Sequence, residues 1–171
     1  MDPVDRPRNQ VVIVSGLSGA GKSTALRQFE DMGWEVADNI PLSLLTAMVD
    51  EAGEGGANLA IGIDFRTRGF STELVLEIIS ELREKGHDPV RLLFMDCDEA
   101  VLQRRFTETR RRHPLAKDRP VGDGIRQEKH RLGGLRNAAD LRIDSTNLSQ
   151  PELKRLLTGH FSLQRASRMS V

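Results

Sequence analysis

The chain has 171 residues, 38% of them apolar and 29% charged, which suits one globular domain and excludes both a disordered segment and two domains of ordinary size. Net charge is zero, yet residues 1–100 hold 9 Lys and Arg against 18 Asp and Glu, and residues 101–171 hold 16 against 7. The basic second half therefore needs an anionic partner or the acidic first half.

Residues 1–9 are polar, contain two prolines and read as a flexible tail, not a signal peptide. Gln10 to Ser15 is a short β-branched run that predicts a strand. It ends at Gly16-Leu17-Ser18-Gly19-Ala20-Gly21-Lys22-Ser23, a complete G-x-x-x-x-G-K-S phosphate loop (Walker A). Thr24 to Met32 continues as a helix. In this arrangement the glycines let successive N–H groups face phosphate oxygens, and the helix N-terminus adds partial positive charge. Residues Gly16 to Thr24 are the expected nucleotide contacts, with Lys22 on the β- and γ-phosphates and the Ser23 hydroxyl on Mg²⁺.

Trp34 to Ala37 predicts a second strand, closed by Asp38-Asn39-Ile40-Pro41, and Leu42 to Val49 a helix that fades into a mobile connection at Gly53-Glu54-Gly55-Gly56. Leu59 to Asp64 is apolar without alternation, as a strand covered on both faces should be. After a loop at 65–70, Thr72 to Lys85 is a helix with Leu74, Ile78, Ile79 and Leu82 on one side. Val90 to Met95 is a strand, and Glu99 to about Arg112 a helix broken at His113-Pro114-Leu115. Ala116 to Gly124 is expected to be a lid-like polar loop, followed by a helix over 125–135 and a short strand over 141–144. Ser149, with Pro151 and Glu152 behind it, opens the last helix, and residues from Ser162 on show little periodicity. The domain is expected to span 10–160.

Alternating strands and helices specify an α/β fold: a P-loop three-layer sandwich of kinase-like type around a mostly parallel, five-stranded sheet. Ligands in such sheets bind beyond the carboxyl ends of the strands, where Gly16, Asp38, Asp64 and Asp96 fall. Asp64 is the first choice for the carboxylate that holds Mg²⁺, because the most apolar run precedes it. Asp38 and Asn39 either contact water, metal or a second substrate or start a turn, while Asp96 and Asp98 are placed to cap the following helix. Arg104, Arg105 and Arg110 to Arg112 share the helix before the lid, and Arg111 and Arg112 are the candidates for closing on the γ-phosphate, set against a plain solvated face. His113 is expected to cap that helix, and Cys97 to be a small core residue. The histidines lack metal-ligand spacing with one another or with Cys97.

Several stretches beyond the loop are more specific. Phe29-Glu30-Asp31-Met32-Gly33, Asp38-Asn39-Ile40-Pro41, Asp64-Phe65-Arg66-Thr67, Glu108-Thr109-Arg110-Arg111-Arg112-His113-Pro114-Leu115 and Ala139-Asp140 to Asp144 resemble the RapZ family of RNase adapter proteins over nearly the whole chain. The resemblance implies an amino-terminal domain that binds and slowly hydrolyses ATP or GTP with Mg²⁺. It places the family's second nucleotide motif on Asp64, Phe65, Arg66 and Thr67, where Phe65 and Thr67 depart from the usual pattern and put guanine selectivity in doubt. It further implies a carboxy-terminal domain for RNA binding and delivery to an RNase, beginning about where this chain stops, with residues 161–171 starting the linker. A soluble, cytoplasmic protein with no membrane association is expected, and homo-oligomer formation is left open. Against the regulatory NTPase stand a small-molecule kinase that passes the γ-phosphate to a bound acceptor and a binding module without turnover.

Overall fold

Five runs form strands: β1 (Val11–Gly16), β2 (Glu35–Asp38), β3 (Leu59–Gly62), β4 (Val90–Asp96) and β5 (Leu141–Asp144). All pair in parallel in the order β2-β3-β1-β4-β5. The computed structural model describes residues 9–87 and 89–169, with side chains of the last helix up to Ser162. The tail expected before residue 9 lies outside the described residues.

Central position explains composition. Every residue of β1 is buried, between Leu59 of β3 and Val90 of β4 in register with Val11, whereas β2 and β5 on the two edges each carry two exposed positions. Parallel neighbours require crossovers, supplied here by α1 (Lys22–Asp31), α2 (Leu45–Gly55), α3 (Thr72–Glu84), α4 (Glu99–Thr109), α5 (Val121–Arg131) and α6 (Gly133–Ala138), with α7 (Gln150–Met169) closing the fold. The α/β sandwich with a five-stranded parallel sheet is the fold expected from the sequence. Much of the scarce aromatic content gathers in one place: Phe29 of α1, Trp34 and Phe161 of α7 lie with ring centroids 4.8, 4.9 and 5.8 Å apart. Their tilted and edge-on geometry is the favourable one for such rings and locks α7 over α1.

Several element ends differ from expectation. The glycine cluster at 53–56 is not a loose connection. Helix α2 runs through Gly55 and stops at Gly56, whose left-handed φ of 71° lets Ala57 N–H reach Ala52 O at 3.0 Å. Gly53 is tolerated inside the helix because His87 packs there, 3.2 Å from where a Cβ would stand. Helix α4 ends at Thr109, since Arg110 adopts φ 53°, so Arg111 and Arg112 are off the helix that was expected to carry them. Helix α5 starts four residues earlier than the pattern suggested, behind Pro120, and α7 continues to Met169 although its apolar periodicity has ended. The caps at Asp98 and Ser149 form as read, accepting from Ala100 N–H and Glu152 N–H.

The tightest approach of a glycine to neighbouring backbone is at Gly16, where β1 passes against β4. A Cβ on Gly16 would stand 2.5 Å from Met95 O and 2.7 Å from Met95 Cβ. Since backbone is the obstacle, Gly16→Ala should lower stability by about 3 kcal/mol or prevent folding. Urea unfolding of the purified variant measures the loss; unchanged stability would mean that the two strand ends can separate at little cost.

Candidate nucleotide site

The phosphate loop leaves β1 at Gly16 and enters α1 at Lys22. Gly19 and Gly21 take φ of 87° and 109°, conformations that side-chain-bearing residues rarely adopt. Turning N–H groups to one side of the loop turns carbonyls to the other, and these are met by protein donors. Ala20 N–H donates to Leu17 O at 2.9 Å, Arg105 Nη1 to Gly19 O at 2.9 Å, and Ser145 Oγ to Ala20 O at 2.6 Å. By contrast, the N–H groups of Gly19, Gly21, Lys22, Ser23 and Thr24 meet no acceptor among the described residues. A row of open N–H groups at a helix start is an anion-binding surface.

Sequence neighbours within the loop thus have different tasks. Leu17 is buried and its N–H is committed to Met95 O at 3.0 Å, so it shapes the loop from beneath. Ala20 is likewise buried. Ser18 is held by Glu128 of α5: its N–H donates to Oε1 at 2.6 Å and its hydroxyl to Oε2 at 2.7 Å.

Lys22 Nζ lies 3.0 Å from Asp38 Oδ1 and 3.2 Å from Asp64 Oδ2, joining the ends of β2 and β3 to the loop. Asp64 is only 6% exposed and stands two residues beyond β3, in a turn that ties itself together. Its N–H donates to Thr67 Oγ1, its carboxylate accepts from Arg66 N–H at 2.7 Å, and Arg66 Nη2 lies 3.1 Å from Oδ2. Burial pushes the Asp64 carboxyl up, but the Arg66 hydrogen bonds and the Lys22 charge together outweigh it and hold the group below the usual carboxylate range. Thr67 thus supplies a hydroxyl that closes the turn, and the guanidinium groups of Arg66 and Arg131 each lie 5.9 Å from the Phe65 ring centroid. A Cβ on Gly62 would fall 2.3 Å from Asp38 Oδ1, so this glycine makes room for the carboxylate beside Lys22.

A hard divalent cation takes oxygen ligands, and the Ser23 hydroxyl and Asp64 carboxylate are of that kind. Among the described residues no group of three His, Cys, Asp or Glu side chains could hold a metal.

Arg111 and Arg112 are exposed and line a concave cleft of ≈ 470 Å³ with Lys117 and Arg119. No carboxylate lies within ion-pair distance of these four side chains among the described residues. His113 does not cap α4. It is buried, accepts a hydrogen bond from Leu115 N–H at Nδ1 (3.0 Å), and turns Nε2 to Glu128 Oε1 at 3.4 Å. Arg105, grouped with these arginines in the sequence, instead serves the loop and Ser145. Asp38, one reading among several in the sequence, belongs to the site. Glu128 carried no local signal and nothing marked Ser145 as a loop partner: they sit 110 and 125 residues from the loop atoms they bind.

A central parallel strand, a phosphate loop with open N–H groups, and an invading lysine between two strand-end carboxylates define a P-loop nucleotide-binding domain of kinase-like architecture. Solved structures of that class superpose on it: shikimate kinase from Bacteroides thetaiotaomicron at a TM-score of 0.59 and 16% identity, covering 91% of this chain and 98% of that one. The YorR protein of Bacillus subtilis, solved with phosphorylated GDP, superposes at 0.61 and 11% identity over 91% and 98%. The chain matches the RapZ-like N-terminal domain over residues 9–165 and belongs to that family. Nucleotide-binding proteins of Paramagnetospirillum magneticum and Rhodospirillum centenum are 53% and 55% identical to it over 91% of the chain. The chain spans about half the length of these relatives, 51% and 46%. It is a nucleotide-binding domain, and among the described residues no helix is long and apolar enough to cross a membrane.

The lowered Asp64 gives a pH signature. A carboxyl whose native pKa lies below its unfolded value stabilises the fold above the unfolded value, about 4, and loses that contribution as pH falls through the native one. The stability gap between the unsubstituted chain and Asp64→Asn should therefore be constant above about pH 5 and shrink on further acidification. Paired urea titrations across pH 3–7 measure it; a gap that widens toward acid would contradict the assigned direction.

Proposed function

We propose that this domain binds ATP or GTP with Mg²⁺ and hydrolyses it slowly, as the nucleotide-responsive part of an RNase adapter of the RapZ type. The observation that carries the reading is Lys22, held by Asp38 and Asp64 at the mouth of a loop in which the N–H groups of Gly19 and of Gly21 to Thr24 meet no acceptor among the described residues. Phosphate oxygens would occupy those N–H groups, and Lys22 would turn from the carboxylates to the β- and γ-phosphates. Ser23 and Asp64 would hold Mg²⁺, which neutralises charge on the same oxygens. Asp38, exposed and relieved of Lys22, is the carboxylate free to orient water. That water's oxygen bonds to the γ-phosphorus as the bond to the β–γ bridging oxygen breaks, giving nucleoside diphosphate and inorganic phosphate. Arg111 and Arg112 would close over the γ-phosphate as charge develops. Contacts to RNA and to an RNase belong, in this reading, to the remainder of the protein outside this chain.

Lys22→Ala should weaken nucleotide binding by about tenfold to a hundredfold, the worth of one or two charge-assisted hydrogen bonds. Titration with ATP and GTP, with and without Mg²⁺, tests this, and unchanged affinity would remove the assignment. Phosphate release with no acceptor present distinguishes hydrolysis from a small-molecule kinase. Replacing Arg111 and Arg112 by Ala should lower turnover by about tenfold or more while affinity changes less. Equal turnover would return both arginines to a solvated surface role.

A further inference from the structure

Glu128 is 1% exposed, yet no Lys or Arg pairs with it among the described residues. Ionised buried carboxylates are costly unless hydrogen-bonded donors replace water. Glu128 has such donors, from the phosphate loop and from the residue after Arg112. Ser18 supplies its N–H at 2.6 Å and its hydroxyl at 2.7 Å, one to each carboxylate oxygen. His113, directly after Arg112, turns Nε2 to Oε1 at 3.4 Å. Because Leu115 N–H already donates to His113 Nδ1, the neutral ring carries its proton on Nε2 and presents it to the carboxylate.

The surroundings fit that arrangement. A Cβ on Gly124 would stand 2.6 Å from His113 Nδ1, so α5 lacks a side chain where the ring lies. The ring also meets Phe106 at 5.1 Å, and the nearest approach to Gly19 of the loop is again Phe106, 3.4 Å from a Cβ placed there. Ser18, Glu128 and His113 thus form a continuous path from the third residue of the phosphate loop to the segment bearing the cleft arginines.

We propose that Glu128 is a positioning residue of the nucleotide site. It holds Ser18 and, through His113, the Arg111–Arg112 segment in one fixed relation, and it keeps Ser18 when nucleotide is bound. The phosphates are then bound by the N–H groups from Gly19 onward, and Ser18 N–H is withheld from them. The proposal rests on the functional reading of this site given above. A displacement of the arginines by about an ångström is enough to slow a reaction strongly without changing ground-state affinity much.

The test joins NMR of the Ser18 amide with steady-state phosphate release. A short bond to a carboxylate places the Ser18 amide proton far downfield, and the proposal expects it there both in the nucleotide-free protein and with Mg²⁺ and a non-hydrolysable ATP or GTP analogue. Glu128→Gln preserves the shape and can still accept from Ser18 N–H, so its kcat should stay within about threefold of the unsubstituted chain. Glu128→Ala should lower kcat about tenfold or more, with KM changed less than about threefold.

Return of the Ser18 resonance to the ordinary range on nucleotide binding would overturn the proposal, making Glu128 a placeholder that phosphate displaces. A Glu128→Gln protein as slow as Glu128→Ala would also overturn it, because the charge and not the geometry would then matter. Should Glu128→Ala not fold, the amide position and the Glu128→Gln rate still decide. Failure of the functional reading is separate: it shows as no phosphate release by the unsubstituted chain, whereas failure of the clamp shows as an ordinary Ser18 amide shift in the nucleotide-free protein.

Discussion

A peptide unit that presents its N–H to a ligand presents its carbonyl to the opposite side, and that carbonyl must find a donor. The phosphate loop makes this demand repeatedly within a few residues, and buried unpaired groups cost roughly 1–3 kcal/mol each. The answers come from distant parts of the chain: Arg105 of α4 for Gly19 O and Ser145 beyond β5 for Ala20 O. Arg105 also donates to Ser145 O and Oγ, so the two donors brace each other. The positions of α4 and of the β5 end are therefore set by the same requirement that leaves the loop N–H groups open.

Electrostatics completes what the backbone starts. An ammonium brought to the mouth of an anion site without its anion needs other partners, and Lys22 has two in Asp38 and Asp64. The two carboxylates differ in setting. Asp64 is buried and hydrogen-bonded by Arg66, which favours its ionised form, whereas Asp38 is exposed on an edge strand. Room for Asp38 depends on Gly62, one strand over, where any side chain would collide with the carboxylate. A change at Gly62 would therefore be felt by Lys22 though the two do not touch.

Sequence legibility followed range. The phosphate loop and Asp64 are marked by patterns within ten residues, and the sheet by runs whose burial matches their apolar content. Helix ends were less legible because tertiary contacts decide them: Gly53 stays helical against His87, and Arg110 leaves the helix although its neighbours favour continuing it. Glu128 could not be read at all. In sequence it is one more charged position on an amphipathic helix, and only the fold places it against a serine 110 residues away.

The unequal charge of the two halves takes a different meaning once partners are visible. Arg126 pairs with Glu99 and Asp123, Arg136 with Asp96, Arg131 lies over Phe65, and Arg105 serves the loop. These residues find their partners within the fold. Of the basic residues without an ion pair, Arg111, Arg112, Lys117 and Arg119 gather around one cleft, with Asp118 as the acid among its lining residues. Uncompensated charge of one sign in a concave surface raises the local concentration of anions. That surface begins at the residue before His113, whose ring is fixed to Glu128 and so to the phosphate loop. The cleft cations are consequently tethered to the nucleotide site by buried hydrogen bonds, an arrangement in which their distance from the phosphates is set by packing and not by salt concentration.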